Sequence, residues 1–200
     1  MIAPEQDGTS EGTADIDLME MTKAGDERAF SLLVERHQFR VIGTVAKMLG
    51  NESDAEDIAQ QVFVRVWQSR ARYSPTAKFT TWLMTITRNL VFNEMRRRKR
   101  AHFIPIDRDD ENGHPVREQV DPGARPAAEA LQESELQEAI ASAISALPEA
   151  QRMAVILRRY EEMPYEEIAR VLGSSVPAVK SLLFRARSDL KEKLKAHLPG

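Results

Sequence analysis

The residues of this chain that could do chemistry are cations, amides and aromatics, and their spacing suits binding. Arg96, Arg97, Arg98, Lys99 and Arg100 form an unbroken basic run. Lys180, Arg185, Arg187, Lys191, Lys193 and Lys195 recur close together further on. The net charge is only −3, but a local basic face governs attraction to phosphates. One such run alone reads equally well as a solvated helix face.

The basic run closes a segment, Lys78 to Arg100, that also holds Phe79 and Trp82, the hydroxyls of Thr80, Thr81, Thr85 and Thr87, and the amides of Asn89 and Asn93. Aromatics beside a basic track suit unstacked single-stranded bases, which stack on rings while cations follow the phosphates. Against this, the spacing of Phe79 and Trp82 with Leu83 and Ile86 is that of a core stripe, and Trp82 reads as mainly core. A second cluster, Asp54, Glu56, Asp57, Gln60 and Gln61, gives one helix an acidic and amide surface. Asp54 and Glu56 are explained by the dipole of a helix N-terminus. Asp57, Gln60 and Gln61 fall at i, i+3 and i+4 and form a candidate docking face.

The third segment runs from Tyr165 to Leu190. Ile168, Ala169 and Leu172 form one apolar face, Gly173 permits a tight turn, Ser175 suits an N-cap and Pro177 suits the first turn of the next helix. Val179, Leu182, Leu183 and Ala186 then point inward, leaving Lys180, Ser181, Arg185 and Ser188 outside. This is a helix-turn-helix layout whose second helix fits a major groove; the plainer alternative is a helical hairpin in a core.

Catalytic chemistry finds no support. There is no glycine-rich phosphate loop and no HExxH pair, and His37, His102, His114 and His197 are scattered. His37 sits in a helix stripe and reads as a core or boundary residue. The absence of cysteine excludes disulfides and cysteine-based metal sites. No catalytic residue, cofactor, metal or small-molecule substrate is expected, and the chain reads as a non-enzyme. No apolar run reaches the roughly 20 residues of a membrane span, and the first residues lack a signal-peptide pattern, so a cytoplasmic protein is expected.

These segments need helices to position them. Phe30, Leu33, Val34, His37, Val41, Val45 and Met48 recur at three- and four-residue steps, ended by Gly50-Asn51. Ser53-Asp54-Ala55-Glu56 reads as a capping box opening a second helix, with Ala55, Ile58, Ala59, Val62, Phe63 and Val66 inward. Tyr73-Ser74-Pro75 breaks it, and a third helix is expected from about Thr76 to Arg100. The spacing predicts further helices ending before Pro148, from Pro148 to about Glu161, from Pro164 to Leu172 and from Val176 to about His197. The expected fold is therefore all-α, two small helical domains, a bundle and a helix-turn-helix, joined by a flexible linker. The boundaries read as an acidic N-terminal tail over 1–24, whose six acids face no base before Lys23, a bundle over 25–100, a proline- and acid-rich linker over 101–127 and a helix-turn-helix domain over 128–200.

The two blocks "AFSLLVERHQFRVIGTVAKMLGNESDAEDIAQQVFVRVW" with "FTTWLMTITRNLVFNEMRRRKR", and "LPEAQRMAVILRRYEEMPYEEIARVLGSSVPAVKSLLFRARSDLKEKL", resemble regions two and four of the extracytoplasmic-function (ECF) sigma factors of the sigma-70 family. The resemblance implies a promoter-specificity subunit of RNA polymerase. It implies that Asp54, Asp57, Gln60 and Gln61 dock on the clamp helices of the polymerase largest subunit, although many members carry glutamate at the place of Gln61. It also implies that Tyr73, Lys78, Phe79, Thr80, Thr81, Asn89, Arg96 and Arg97 meet minus-ten DNA. Ser175, Pro177, Ala178, Lys180, Ser181 and Arg185 would meet minus-thirty-five DNA. Pro164 departs from the family's usual serine cap, which implies a looser helix start. The implied partners are core RNA polymerase, through clamp helices and flap, promoter DNA and an anti-sigma factor. A polymerase-independent helix-turn-helix regulator is the alternative, but such a protein has no need of the first block.

Overall fold

The computed structural model describes residues 8–51, 53–102 and 127–195. Most of the expected linker, at 103–126, lies outside them. Among the described residues the chain forms eight α-helices and one 3-10 turn, with no strand. The N-terminal module holds α1 (Gly8–Lys23), α2 (Glu27–Leu49), α3 (Ser53–Ser69), the 3-10 turn Arg70–Arg72 and α4 (Phe79–His102). The C-terminal module holds α5 (Ala127–Ser145), α6 (Glu149–Arg159), α7 (Tyr165–Leu172) and α8 (Val176–Lys193).

Capping chemistry sets the boundaries. The Asp26 carboxylate accepts from the amides of Arg28 (2.8 Å) and Ala29 (3.0 Å), which opens α2. Gly50, at φ 72°, closes it, in the left-handed region that glycine enters without steric cost. The expected capping box at Ser53 is not what opens α3. Ser53 is already helical, and it is the Asn51 side chain that accepts from the Ser53 amide at 2.9 Å. A shorter Asx-type bond does the same work two residues earlier.

The core of the N-terminal module is the stripe the sequence shows. Leu33, Val41, Val45 and Met48 of α2 meet Ala55, Ile58, Val62 and Val66 of α3 and Leu83 and Val91 of α4, all buried. Each of these side chains except the small Ala55 contributes about 1.5–3 kcal/mol through removal from water. The acidic tail expected over 1–24 is a helix in its described part. Asp15, Met19 and Thr22, spaced i, i+4 and i+7, are buried against the bundle. What holds the acid there is a pair of bonds from α2. Arg36 donates to Asp15, and His37 Nε2 lies 2.9 Å from its other oxygen.

In the C-terminal module, Met153, Ile156 and Leu157 of α6, Ile168 and Val171 of α7, and Val179 and Ala186 of α8 are buried together. Leu182 and Leu183, expected inward, are only half-buried. Gly173 ends α7 at φ 61°, with its amide on the carbonyls of Ala169 and Arg170. Ser175 then caps α8, its hydroxyl accepting from the Ala178 amide at 3.3 Å, with Pro177 in the first turn. Pro164 offers α7 no side-chain cap, and only its carbonyl accepts, from Glu167 (3.1 Å) and Ile168 (3.0 Å). The two modules do not stand apart. α7 packs on α4 and α6 on α2, and their apolar residues join one continuous core.

Candidate nucleic-acid and docking surfaces

Three surfaces carry the residues singled out above. On α3, Asp57, Gln60 and Gln61 are exposed. Asp54 is not free with them. It accepts from Arg98 at 2.6 Å and from Asn51 at 3.1 Å, which ties the start of α3 to α4. Val64 was missed. It lies at i+7 from Asp57 and is 55% exposed, so the face ends in an apolar contact. Its spacing from Asp57, Gln60 and Gln61 was the available signal.

The second surface is the approach to α4 and its outer side. Lys78 and Asn89 are exposed, as are Arg96 and Arg97, while Thr80 is half-buried. Tyr73, Phe79 and Thr81 are not available to a base, being 2%, 1% and 2% exposed. Phe79 and Tyr73 join an aromatic cluster with Trp82 and His37, with ring centroids 5.1–6.4 Å apart. The expected roles of the two α4 aromatics are thus exchanged: Phe79 is core and Trp82 is half-buried. The rings form the underside of the 73–79 loop, and burial pushes the Tyr73 phenol up from its ordinary value.

The basic run is partly neutralised from within. Glu94 accepts from Arg97 (2.7 and 2.8 Å) and from Arg98 (2.8 Å). The Arg97 bond, then Arg98 against the opposing effect of burial, holds the Glu94 carboxyl down at about 2. Lys99 pairs with Glu149 at 2.6 Å. Among the described residues Arg96 and Arg100 carry no ion pair, and with Asn93 and Lys99 they line a shallow concave patch. Arg96 itself bonds Asn93 at 2.6 Å.

The third surface is the outer side of α8. Ser175 serves as its cap, Ala178 is half-buried, and Pro177, Lys180, Ser181 and Arg185 are exposed. Phe184, 71% exposed, was missed. It falls at i+4 from Lys180 and i+3 from Ser181, on the same outward side, and that spacing was legible. A side chain of this kind can contact a thymine methyl group, while Arg185 can form two bonds to a guanine edge.

Several of these groups meet across the modules. Glu167 of α7 accepts from the Thr81 hydroxyl at 3.0 Å and pairs with Lys78 at 3.3 Å. Glu161, just after α6, accepts from Thr44 at 2.9 Å and pairs with Arg40 at 2.9 Å. Arg88 donates to the Val171 carbonyl at 3.0 Å, and its guanidinium lies 3.5 Å from where a Cβ on Gly173 would sit. Arg152 donates to the Met48 carbonyl at 2.5 Å.

Two family models match the chain: Sigma-70 region 2 over residues 33–101 and Sigma-70 region 4 over residues 137–190. Among characterised proteins, the ECF RNA polymerase sigma-E factor of Escherichia coli is 31% identical over 190 residues, covering 92% of this chain and 96% of its own. RNA polymerase sigma-H factor of Pseudomonas aeruginosa is 30% identical over 185 residues, covering 90% and 93%. Among solved structures, CnrH in complex with the cytosolic domain of CnrY is 28% identical, with a TM-score of 0.65 over 92% of this chain and 98% of that one. Bartonella quintana RpoE, in complex with the anti-sigma factor NepR, shares the fold at 22% identity and a TM-score of 0.64, covering 83% and 96%.

Proposed function

Because this chain belongs to the ECF group of the sigma-70 family, whose members direct promoter-specific transcription initiation by RNA polymerase, we propose how its own surfaces divide that work. The α3 face of Asp57, Gln60, Gln61 and Val64 docks on the clamp helices of core polymerase. Its polar groups set orientation and its one apolar side chain is covered on docking. Asp54 acts indirectly, by fixing the start of α3 through Arg98.

The outer side of α8 enters the major groove of the minus-thirty-five element. Arg185 and Phe184 read base edges, Lys180 and Ser181 hold phosphates, and the N-terminus capped by Ser175, with Pro177 and Ala178, approaches the backbone. At the minus-ten element, Asn89 and Arg96 with Thr80 and Lys78 face the strand, while Tyr73 and Phe79 stiffen the loop from beneath. Arg97 contributes less than its charge suggests, since Glu94 already holds it. As a member of this group, the chain works in the cytoplasm and takes an anti-sigma protein as its inhibitor.

The observation that carries this reading is the joint presence of an exposed amide–acid face on α3 and an exposed, capped reading helix α8, each within its own module. A self-sufficient repressor would need only the second. Reconstitution with core polymerase tests it. The chain is expected to yield transcripts from defined start sites that core polymerase alone does not make. Sequence-specific DNA binding that gains nothing from polymerase would overturn it.

A further inference from the structure

Phe39 is 78% exposed, the most exposed large apolar side chain among the described residues. The surfaces assigned above account for Val64 and Phe184 but not for this ring. It belongs to a stripe on the outer side of α2, where Leu32, Arg36, Phe39 and Gly43 follow one another at i, i+4, i+7 and i+11. Across 28–47 that side is basic: Arg28, Arg36, Arg40 and Lys47 are exposed, against the single exposed acid Glu35. Arg36 separates Leu32 from Phe39, so the ring stands among cations and not in an apolar seam.

Gly43 lies one turn from the ring, well inside the 23-residue helix. Glycine weakens a helix interior relative to alanine, and nothing within the described chain demands it here. A Cβ at this position would meet only the tip of the Lys47 side chain, with Nζ at 3.7 Å, which can swing away. A glycine whose outer side is open suits the close approach of a group from outside. Arg36 and Arg40 line one concave surface with Lys78 and Thr80 of the minus-ten side, and with Glu161 and Glu167 of the other module. In the free chain Arg36 is held by Asp15 and Arg40 by Glu161, so the ring, not the charge, is the group left uncovered.

We propose that Phe39 is a stacking platform for one base of the unwound promoter strand, bound next to the bases met by Lys78, Thr80 and Asn89, with Gly43 leaving the nucleotide room against the helix backbone. Every base has a face that can lie on a ring, so the contact tolerates any sequence and lengthens the track without adding to the recognition code. The guanidiniums of Arg36 and Arg40 flank the ring and follow the adjoining phosphates. The nature of the ligand rests on the sigma-factor reading; the platform carries the minus-ten surface from α4 onto α2.

The test uses holoenzyme reconstituted from core polymerase and the full chain, bound to a promoter fragment whose minus-ten strand is left unpaired. Bases of that strand are replaced one at a time by an abasic nucleotide. With the unaltered chain, one position beside the minus-ten bases should cost about fivefold to tenfold in affinity, the lower end of what a base stacked on an aromatic side chain is worth. Phe39→Ala should cost the same on the intact strand and should abolish the sensitivity at that position alone. Phe39→Trp should retain it, while Phe39→Leu, apolar but without a ring, should behave like alanine. Gly43→Leu should weaken binding of the same fragment although the chain melts no lower. Unchanged affinity in Phe39→Ala or in Gly43→Leu overturns the platform. So does full rescue by leucine, an equal loss on fully paired DNA, or a loss of affinity for core polymerase in place of DNA, which would mark the ring as a protein contact. Failure of the sigma-factor reading shows separately, as a lack of promoter-specific transcripts from holoenzyme with the unaltered chain.

Discussion

Replacing Asp15 by alanine tests whether the acid-rich first helix is structural. The carboxylate is 3% exposed and joins two residues of α2, Arg36 and His37. His37 is equally buried, and its Nδ1 already has no partner. Removing the carboxylate would leave both ring nitrogens unbonded, at about 1–3 kcal/mol for each group stranded away from water. The Arg36 side chain is 40% exposed and rehydrates, so its share is small. A total near 3 kcal/mol corresponds to a fall in melting temperature of about 6–12 °C for a chain of this size. Asp17→Ala provides the control, because Asp17 is exposed on the same helix and its loss should stay within about 0.5 kcal/mol. The effect also carries a pH signature. Burial alone would raise the Asp15 carboxyl, but the bonds to His37 and Arg36 outweigh it and hold it below its ordinary value of 3.8. Its contribution is therefore present above that value and lost as pH falls through the lower folded one. Thermal melts of both variants near neutrality and in acid check this. If Asp15→Ala melts like Asp17→Ala near neutrality, the tie between α1 and α2 does not exist as described.

The remaining surfaces give sharper binding tests. Asp57→Ala with Gln60→Ala should lower affinity for core polymerase by about fivefold to thirtyfold, the worth of a few rim contacts, while the melting curve stays put; weakened melting with intact affinity would reverse the assignment. With the full chain in holoenzyme, Arg185→Ala should cost about 1–3 kcal/mol on a matched upstream element and far less on a scrambled one. Phe184→Ala should be felt at thymine positions only, and equal losses on all sequences would make both residues backbone contacts. Glu94→Gln should destabilise the chain at neutral pH. Because the folded carboxyl sits at about 2 against an ordinary 4.5, the gap between variant and parent should close as pH falls from about 4.5 toward 2. A gap independent of pH in acid would mean the Arg97 and Arg98 bonds contribute nothing.

Where apolar side chains recur every three or four residues, the sequence is sufficient for α2 and α3, whose stripes are buried as expected; in α4 Phe79 and Leu83 are buried, but Trp82 and Ile86 are only half-buried. The turn from Gly173 to Pro177 was equally legible, because each residue type there answers a backbone need. Polar burial was not. Asp15 looks solvated until its partners, 21 and 22 residues on, are brought beside it. Phe79 and Trp82 are three residues apart on one helix, and only the three-dimensional position of Tyr73 and His37 decides which ring goes under. The partners of Glu161 and Glu167 leave no signal in the sequence for the same reason, and the packing of α7 on α4 leaves no periodic trace in either segment.

Beside the apolar core they share, the modules are tied by hydrogen bonds to backbone carbonyls and by ion pairs to carboxylates, and this bears on how freely such proteins can exchange halves. The Arg88 bond ends on the backbone carbonyl of Val171, so any helix with this path would accept it, whatever its side chains. The bonds to Glu161 and Glu167 need carboxylates at two particular positions. A chimera that grafts the C-terminal half of a relative onto this N-terminal half would keep the first tie and lose the others unless the donor carried both acids. Recombination between relatives would thus yield proteins able to read a new upstream sequence but differing in how firmly their two halves are joined, so that promoter choice and the strength of that junction would be inherited together.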